Sequence, residues 1–195
     1  GLTIPAGFGL NPRKYITGLA AAAETAGAKI YHDTAAQQIT QVGDGYEIRT
    51  PGGVLRAAKV IIATNGYSSE DLPTWLSGRY MPAQSSVIVT RPLTAKELSE
   101  AGWTSDQMVY DTRNLLHYFR LMPDRRMLFG MRGGLMTGPT AEGRAITRVR
   151  RDFDAMFPAW SGVETPYAWS GMVCIARDQM PFVGCVPDQA NLFAA

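Results

Sequence analysis

The sequence lacks the short motifs that identify common catalytic and phosphate-binding sites. No GxGxxG turn follows a strand-like run, and GxSxG, HExxH and the P-loop lysine motif do not occur. Two histidines, His32 and His117, are too few for a rich metal cluster. The two cysteines, Cys174 and Cys185, have no CxxC spacing and no matching histidines. We therefore expect no metal site and two free, buried thiols in a reducing cytoplasm.

A large excess of one charge is also missing. The 19 Lys and Arg residues against 17 Asp and Glu give a formal net charge of +2, so nothing indicates a nucleic-acid partner. We interpret the arginine-rich residues 144–151 as one solvated helix face. No apolar run approaches the length of a membrane span, and no basic-then-apolar leader opens the sequence. These absences predict a cytoplasmic protein without a membrane span.

Both ends of the sequence are abrupt. Residues 1–5 contain no initiator methionine, and residues 191–195 form an apolar strand-like run without a closing helix or polar tail. We interpret the chain as an internal fragment of a longer protein. Its 195 residues are nevertheless enough to bury a core, as one domain or two small ones.

The most informative stretch is residues 57–67, AAKVIIATNGY. Its apolar run, residues 60–63, is typical of a strand buried on both faces, usually a parallel strand of an α/β sheet. Ligands of such sheets bind at the carboxyl ends of the strands, here Thr64, Asn65 and Gly66. A glycine at that place allows a backbone to approach a phosphate closely. The alternative, an ordinary strand followed by an Asn-Gly turn, stays open.

The segments before this stretch indicate part of a nucleotide-binding α/β domain. Asn11 and Pro12 suit the N-cap and the first position of a helix whose apolar stripe ends near Gly27. Asp44-Gly45 suits a hairpin turn. Short strands are predicted at residues 29–31, 38–42, 46–50 and 54–56.

Residues after 80 have the pattern of an antiparallel sheet. The predicted strands are residues 86–90, 108–110, 116–121, 127–130 and 167–173. Pro123-Asp124-Arg125 is a hairpin signal. Helices are predicted from Thr94, which has capping-box spacing to Glu97, and over residues 141–156. Consecutive strands joined by hairpins, with helices on one side, indicate an α+β fold.

Five segments, in this order along the chain, carry a resemblance to a known family. They are GLNPRKYITGLAAAAETAGAKIYHDTAAQQI, AAKVIIATNGY, RYMPAQSSVIVTRPL, YFRLMPDRRMLFG and YAWSGMVCIARDQMPFVG. Their order and spacing resemble those of the flavin-dependent amine and D-amino-acid oxidases, and most of all the γ-glutamylputrescine oxidase and glycine oxidase branch. The resemblance spans nearly the whole sequence. It implies FAD as the cofactor and a small amine or amino acid as the substrate.

The resemblance also implies a domain division and a chemistry. Residues 1–79 correspond to part of an FAD-binding domain, residues 80–173 to a substrate-binding antiparallel sheet flanked by helices, and residues 174–195 to a return into the FAD-binding domain. The family oxidises a C–N bond by hydride transfer to flavin N5, and the imine is then hydrolysed. The glycine-rich turn and ribose-binding acid of the family are missing here. We therefore expect this chain alone to be inactive and to bind FAD poorly.

Site residues follow from the same resemblance, position by position. Thr64, Asn65 and Gly66 match the strand end beside the flavin diphosphate, and Ala36 matches the position whose backbone meets the adenine. The other implied positions lie near the flavin ring: Gln84 and Asp178 for the cofactor, and Tyr118, Arg120 and Trp169 for the substrate. Val173 occupies the position where the amino-acid oxidases have a carboxylate-binding arginine. This departure favours an amine or a larger N-substituted substrate.

Several of these residues have a second interpretation. Tyr118 and Arg120 share one face of a strand. They either present a phenol and a guanidinium to a substrate carboxylate, or they are a core tyrosine beside a surface arginine. Asp178 either approaches the flavin or lies in a turn between strands. His117 has the chemistry of a base at neutral pH. We expect it instead to be a satisfied surface or pocket-wall residue.

Two other functions stay open beside the flavin-dependent oxidoreductase. One is a stand-alone module that binds a small molecule and has no redox activity. The other is a related flavoprotein, such as a relative of sarcosine or dimethylglycine dehydrogenase or a flavin-dependent enzyme that modifies transfer RNA. The near-neutral charge counts against the RNA-modifying enzyme. The sequence does not predict the oligomeric state.

Overall fold

The computed structural model describes residues 1–136 and 138–195. The described helices are α1 (Pro12–Thr25), α2 (Ala95–Glu100) and α3 (Pro139–Met156). The described strands are β1 (Gln38–Val42), β2 (Gly45–Thr50), β3 (Gly53–Ala57), β4 (Val60–Ile62), β5 (Tyr80–Pro92), β6 (Val109–Tyr110), β7 (His117–Leu121), β8 (Arg126–Arg132), β9 (Tyr167–Ala176), β10 (Gly184–Cys185) and β11 (Leu192–Ala194). None of the described helices is long and apolar enough to cross a membrane.

Helix α1 begins where its capping residue predicts. The Asn11 side-chain oxygen accepts a hydrogen bond from the backbone N–H of Lys14 at 3.1 Å, and Pro12 occupies the first helical position. Gly27 follows the helix with a φ of 96°, the left-handed conformation that glycine adopts freely. Nothing in the described part of the chain buries the apolar stripe of α1, and its Tyr15 is 60% exposed.

Strands β1, β2 and β3 form an antiparallel sheet of their own. The predicted hairpin is confirmed, but its turn lies one residue earlier than Asp44-Gly45: Val42 pairs with Gly45, so the two turn residues are Gly43 and Asp44. The predicted strand at residues 29–31 is wrong. No secondary structure is assigned to those residues, and no ladder of hydrogen bonds joins them to another described segment.

The predicted buried strand is β4, at the edge of a second sheet with the order β10-β11-β4. Its parallel pairing is confirmed, because Ile61 pairs in parallel with Phe193 of β11. Burial on both faces is wrong. Ile62 is 8% exposed, whereas Ile61 is 68% exposed, because the core that packs on this sheet covers one face only.

The largest sheet is antiparallel, as predicted, with the order β6-β7-β8-β5-β9. Residues Pro123–Arg125 lie in the hairpin between β7 and β8. The capping box is present at α2: Glu97 N–H donates to the Thr94 side chain at 3.2 Å, and Thr94 N–H donates to Glu97 Oε2 at 2.8 Å. This α+β arrangement agrees with the predicted fold class. The boundaries 1–79, 80–173 and 174–195 stay a prediction.

One face of the large sheet is buried under α3. Val149 and Phe153 of α3 pack with Ile88 of β5 and Phe129 of β8 in a core where each is at most 1% exposed. His117 faces this core and is 2% exposed, so the expected surface or pocket-wall position is wrong. Neighbouring strand residues alternate between faces, and the position of α3 decides which face is buried.

The two cysteines also differ from expectation. Cys174 and Cys185 are free, as predicted, but both are exposed instead of buried. Cys174 lies on the edge strand β9, and Cys185 lies on the edge strand β10. An edge strand has a neighbouring strand on one side only, so fewer side chains of its own sheet lie beside each cysteine.

Candidate functional site

A large cleft lies where the end of β4, the first half of β5 and the last half of β9 meet. Its volume is about 1310 Å³, above the roughly 300–1,000 Å³ of most small-ligand pockets. Its walls come from six parts of the chain, within residues 62–68, 75–83, 114–115, 132–135, 173–183 and 194–195. A cleft of this size accommodates a ligand larger than an amino acid.

The turn after β4 is fixed to the large sheet by Asn65. This residue has a φ of 50°, and its Oδ1 accepts hydrogen bonds from the N–H groups of Gly66 at 2.8 Å and Cys174 at 2.9 Å. Asparagine tolerates the left-handed conformation better than most residues because its short side chain bonds to nearby backbone. The predicted Asn-Gly turn therefore also connects β4 to β9.

Gly66 makes this connection sterically possible. The residue is buried, and a Cβ added there would lie 3.0 Å from Met172 Cβ and 3.0 Å from the carbonyl carbon of Val173. A side chain at position 66 would push the turn away from β9. In the described structure the glycine therefore serves close packing of two backbones.

Hydroxyl groups fix the rest of this turn. Met172 N–H donates to Tyr67 Oη at 3.0 Å, and Tyr80 Oη donates to the Ser68 carbonyl at 2.6 Å. The Thr64 and Ser68 hydroxyls form a short hydrogen bond. Burial raises the pKa of Tyr80, so the phenol stays protonated and remains a donor at neutral pH. Thr64 and Asn65 are thus fixed in the cleft wall.

The face of the large sheet opposite α3 carries the three predicted substrate residues. Tyr118 pairs with Gly130, Arg120 with Leu128, and Trp169 with Val87. Because Val87 also pairs with Gly130, strand alternation places Tyr118, Arg120 and Trp169 on one face. The structure therefore brings this predicted set onto one surface, although none of the three lines the cleft itself.

Tyr118 lies flat across β8. Any side chain at Gly130 would overlap its ring, and its Oη lies 2.8 Å from Ser85 Oγ. Burial raises the pKa of Tyr118, although the hydrogen bond with Ser85 and the positive charge of Arg132 act in the opposite direction. The phenol is consequently protonated at neutral pH and positioned by its neighbours.

Arg120 is covered by the N-terminal segment. Its guanidinium lies so close to Gly9 that any side chain at position 9 would overlap it. Arg120 Nε is buried and has no hydrogen-bond partner in the described part of the chain. A buried, unpaired donor on a charged group favours an additional acceptor such as a carboxylate.

Arg132 is a site residue that the sequence reasoning missed. It lines the cleft, and among residues 1–136 and 138–195 no carboxylate forms an ion pair with it. It follows Gly130 by two residues, so alternation places it on the same face as Tyr118. The sequence signal was strand alternation: carried from Tyr118 and Arg120 across the hairpin to the next strand, it places Arg132 on the same face.

Trp75 lines the cleft and carries an indole N–H for which the described residues offer no acceptor. Its Nε1 is buried without a hydrogen-bond partner in the described residues. Its ring lies 5.0 Å from that of Phe182, and the Arg79 guanidinium lies 4.6 Å from the Trp75 centroid. An unsatisfied indole N–H within an aromatic wall suits a planar ligand that carries acceptor atoms.

The remaining predicted cofactor residues are more scattered. Gln84 is 5% exposed, and its N–H donates to the Gly134 carbonyl at 2.8 Å, beside the cleft. Asp178 caps a turn by accepting from Met180 N–H at 3.1 Å, and the residues directly after it line the cleft. Ala36 is exposed and lies outside the cleft. The cofactor roles of these residues stay predictions.

Comparison with known proteins agrees with this geometry. The sequence profile of the family described as FAD dependent oxidoreductase (DAO) matches residues 1–195, the whole chain. The chain belongs to this family. It is 33% identical over 174 residues to a probable oxidoreductase OrdL of Rhizobium meliloti, covering 89% of this chain and 39% of the relative. It is 30% identical over 175 residues to the gamma-glutamylputrescine oxidoreductase of Escherichia coli, covering 90% of this chain and 40% of the relative.

Solved structures show the same fold. Glycine oxidase from Geobacillus kaustophilus superposes with a TM-score of 0.72 at 22% sequence identity, over 92% of this chain and 46% of that chain. The chain therefore spans less than half the length of each of these three relatives. The resemblance read from the five sequence segments is confirmed at the level of the family.

Proposed function

We propose that this DAO-family chain forms one wall of the flavin site and the substrate sheet of an oxidoreductase that oxidises a C–N bond of an amine or N-substituted amino acid. FAD, when bound, would accept the hydride from the carbon next to nitrogen, and water would hydrolyse the resulting imine. The observation that carries the proposal is the convergence of the β4 turn and the open sheet face on one large cleft. The family match favours this function over a stand-alone binding module.

The cofactor is assigned to the cleft by the chemistry of its walls. Thr64 and Asn65 supply a hydroxyl and an amide at the end of β4, where a phosphate or ribose would bind. Trp75 Nε1 supplies a donor without a partner in the described residues. We retain Ala36, Gly66, Gln84 and Asp178 as proposed cofactor contacts on the basis of family position.

The substrate is assigned to the open face of the large sheet. Val173 leaves β9 without the arginine that binds the substrate carboxylate in the amino-acid oxidases. Arg132, on β8, lines the same cleft and offers an alternative guanidinium. Tyr118 would donate a hydrogen bond, and Trp169 would provide an apolar surface. Arg120 is assigned as a second, more deeply covered cation.

The chain's own residues would align the amine and exclude water from it. A neutral amine needs no obligatory side-chain base, so the proposed roles are binding and orientation. Because the chain spans 39% of the Rhizobium relative, we propose that its 195 residues alone do not turn over substrate. Activity would require the complete gene product.

The test is anaerobic bleaching of protein-bound flavin by amines. The complete gene product is reconstituted with FAD, desalted and mixed without oxygen with glycine, sarcosine, L-proline, putrescine and γ-glutamylputrescine in turn. Oxidation of a C–N bond would bleach the visible flavin absorbance with at least one of these. A flavin-loaded protein that none of them bleaches contradicts the proposed reaction.

A further inference from the structure

A buried histidine connects α3 to a loop at the cleft. His117 is 2% exposed, its Nδ1 lies 2.7 Å from Asp111 Oδ2, and its Nε2 lies 3.2 Å from Asp152 Oδ2. Its ring stacks on Phe129 with a centroid distance of 5.3 Å. Both ring nitrogens are thus paired with a carboxylate, one from the loop after β6 and one from α3.

The Asp111 carboxylate also shapes the loop that it begins. Asp111 Oδ1 accepts hydrogen bonds from the N–H groups of His117 at 3.0 Å and Arg113 at 3.2 Å. Asp111 N–H donates to the His117 carbonyl at 3.0 Å. These contacts close the short loop of residues 112–116 onto itself.

This loop forms one end of the cleft. Asn114 and Leu115 line it, and a Cβ added at Gly133 would lie 3.3 Å from Leu115 Cδ1. The carbonyl of Leu116 accepts a hydrogen bond from Arg132 N–H at 3.0 Å. The loop is therefore attached to the strand end that carries the proposed substrate arginine.

We propose that Asp152 is a positioning residue that fixes the cleft-lining loop 112–116 through His117 and Asp111. A neutral imidazole has one N–H donor, whereas the doubly protonated ring has two. Both carboxylates are satisfied together only when the ring carries both protons. Removing either carboxylate frees the ring to turn or shift on Phe129, and the loop loses its anchor to α3.

The charges around the histidine agree with this arrangement. Burial opposes ionisation of both Asp111 and Asp152, but hydrogen bonds from His117 and neighbouring donors outweigh it and lower the pKa of each carboxyl. The other charged groups that face this cluster are arginines: Arg113 at 3.5 Å from Asp111, and Arg148 at 3.9 Å and Arg151 at 3.2 Å from Asp152. The ring of His117 cannot balance the charges of both carboxylates by itself, and these arginines supply the remaining positive charge.

Amide hydrogen exchange of the complete gene product tests the proposal, with Asp152→Asn as the main variant. Asp152 and the loop lie 36 or more positions apart in sequence, so faster exchange confined to residues 112–116 would report the link through His117. Loss of a hydrogen bond between charged groups predicts exchange faster by about tenfold or more in those residues. Asp111→Asn is expected to have at least the same effect.

Asp154→Asn is the matched control. Asp154 lies on the same helix and pairs with Arg150 at 2.7 Å, but has no contact with His117. It is expected to leave exchange of residues 112–116 within about twofold, because this partly buried pair does not touch His117 or the loop. Equal acceleration by Asp152→Asn and Asp154→Asn, or no acceleration by either, overturns the proposal.

A measurement on the unmodified protein covers the case in which Asp152→Asn does not fold. Nuclear magnetic resonance of the ring of His117 is expected to show a slowly exchanging ring N–H, because a carboxylate covers each ring nitrogen. Ring N–H protons that exchange as fast as those of a free imidazole overturn the proposal. The assignment of a substrate to this end of the cleft rests on the proposed function. Failure of that function would be seen as unbleached flavin, separately from these results.

Discussion

Asn65 Oδ1 accepts a hydrogen bond from the backbone N–H of Cys174 at 2.9 Å, and this contact fixes the turn after β4 to the edge strand β9. The two residues are 109 positions apart. The bond brings the end of a parallel strand, where nucleotide-type ligands bind, to the sheet that carries the proposed substrate residues. Together with the bond from Met172 N–H to Tyr67 Oη, this contact holds two walls of the cleft against each other.

Replacing Asn65 with alanine is expected to destabilise the protein by about 1–3 kcal/mol. The substitution leaves Cys174 N–H without its acceptor and places an alanine at a φ of 50°. Chemical denaturation gives the free energy of unfolding. Asn114→Ala is the control, because Asn114 is exposed and no side-chain hydrogen bond is described for it. An equal, small effect of both substitutions would contradict the role of Asn65.

Gly66→Ala and Gly18→Ala are expected to act in opposite directions. A Cβ at position 66 would lie 3.0 Å from β9, so overpacking should cost about 1–3 kcal/mol. A Cβ at position 18, inside α1, meets nothing within 4 Å, and alanine there should stabilise by roughly 0.5–1 kcal/mol. Thermal unfolding of both variants is the measurement. A stabilising Gly66→Ala would show that the turn does not pack against β9 as described.

The capping box of α2 predicts an acid-dependent contribution to stability. Hydrogen bonds from Arg91 and from the Thr94 backbone lower the pKa of Glu97 to about 2, from 4.5. A carboxyl whose pKa is lowered in the folded state stabilises above its unfolded pKa, and this stabilisation is lost as the pH falls through the folded pKa. Glu97→Gln should therefore cost about 1–2 kcal/mol at neutral pH and almost nothing near pH 2.

Denaturation at several pH values checks this prediction. Glu100→Gln is the matched control, since Glu100 is 60% exposed and its nearest cation, Lys96, is 3.7 Å away and 82% exposed. Exposed pairs of this kind contribute about 0–1 kcal/mol. A Glu97→Gln defect that is the same at neutral and at acid pH would rule out the carboxylate as its cause.

Arg132→Ala is expected to impair oxidation of substrates that carry a carboxylate. Loss of a charge-assisted hydrogen bond predicts a decrease in kcat/KM of about 10- to 100-fold for such a substrate, and a smaller one for an uncharged amine. Arg144→Ala, on the exposed side of α3, is the control. Steady-state kinetics of the flavin-loaded gene product are the measurement. Equal losses for both substrate types would remove Arg132 from carboxylate binding.

Much of the fold follows from local rules. The caps at Asn11 and Thr94 and the Pro123 hairpin were predictable, because each depends on a few adjacent residues. The antiparallel pairing of the large sheet was also predicted, but the place of β5 between β8 and β9 was not, because it depends on segments far apart in sequence. The strand at 29–31 and the exposure of Ile61 were not predictable. Whether an apolar run pairs, and which of its faces is covered, depends on segments far away in sequence.

The candidate site, too, was predictable only where local rules decide. Strand alternation predicted that Tyr118 and Arg120 share a face, and that His117 lies on the opposite one. It did not tell which face α3 would cover, so His117 was expected outside and is buried. Trp75 gave no sequence signal, because its role depends on a cleft formed by segments more than 90 positions apart.

The most direct test of the cleft as a flavin site is the visible absorbance spectrum of the complete gene product after incubation with FAD and desalting. The account predicts that flavin absorbance remains with the protein, and that Asn65→Ala retains less of it because the turn after β4 is released. The 195-residue chain alone is predicted to be colourless after the same treatment. A colourless gene product that is folded and intact would contradict the central claim.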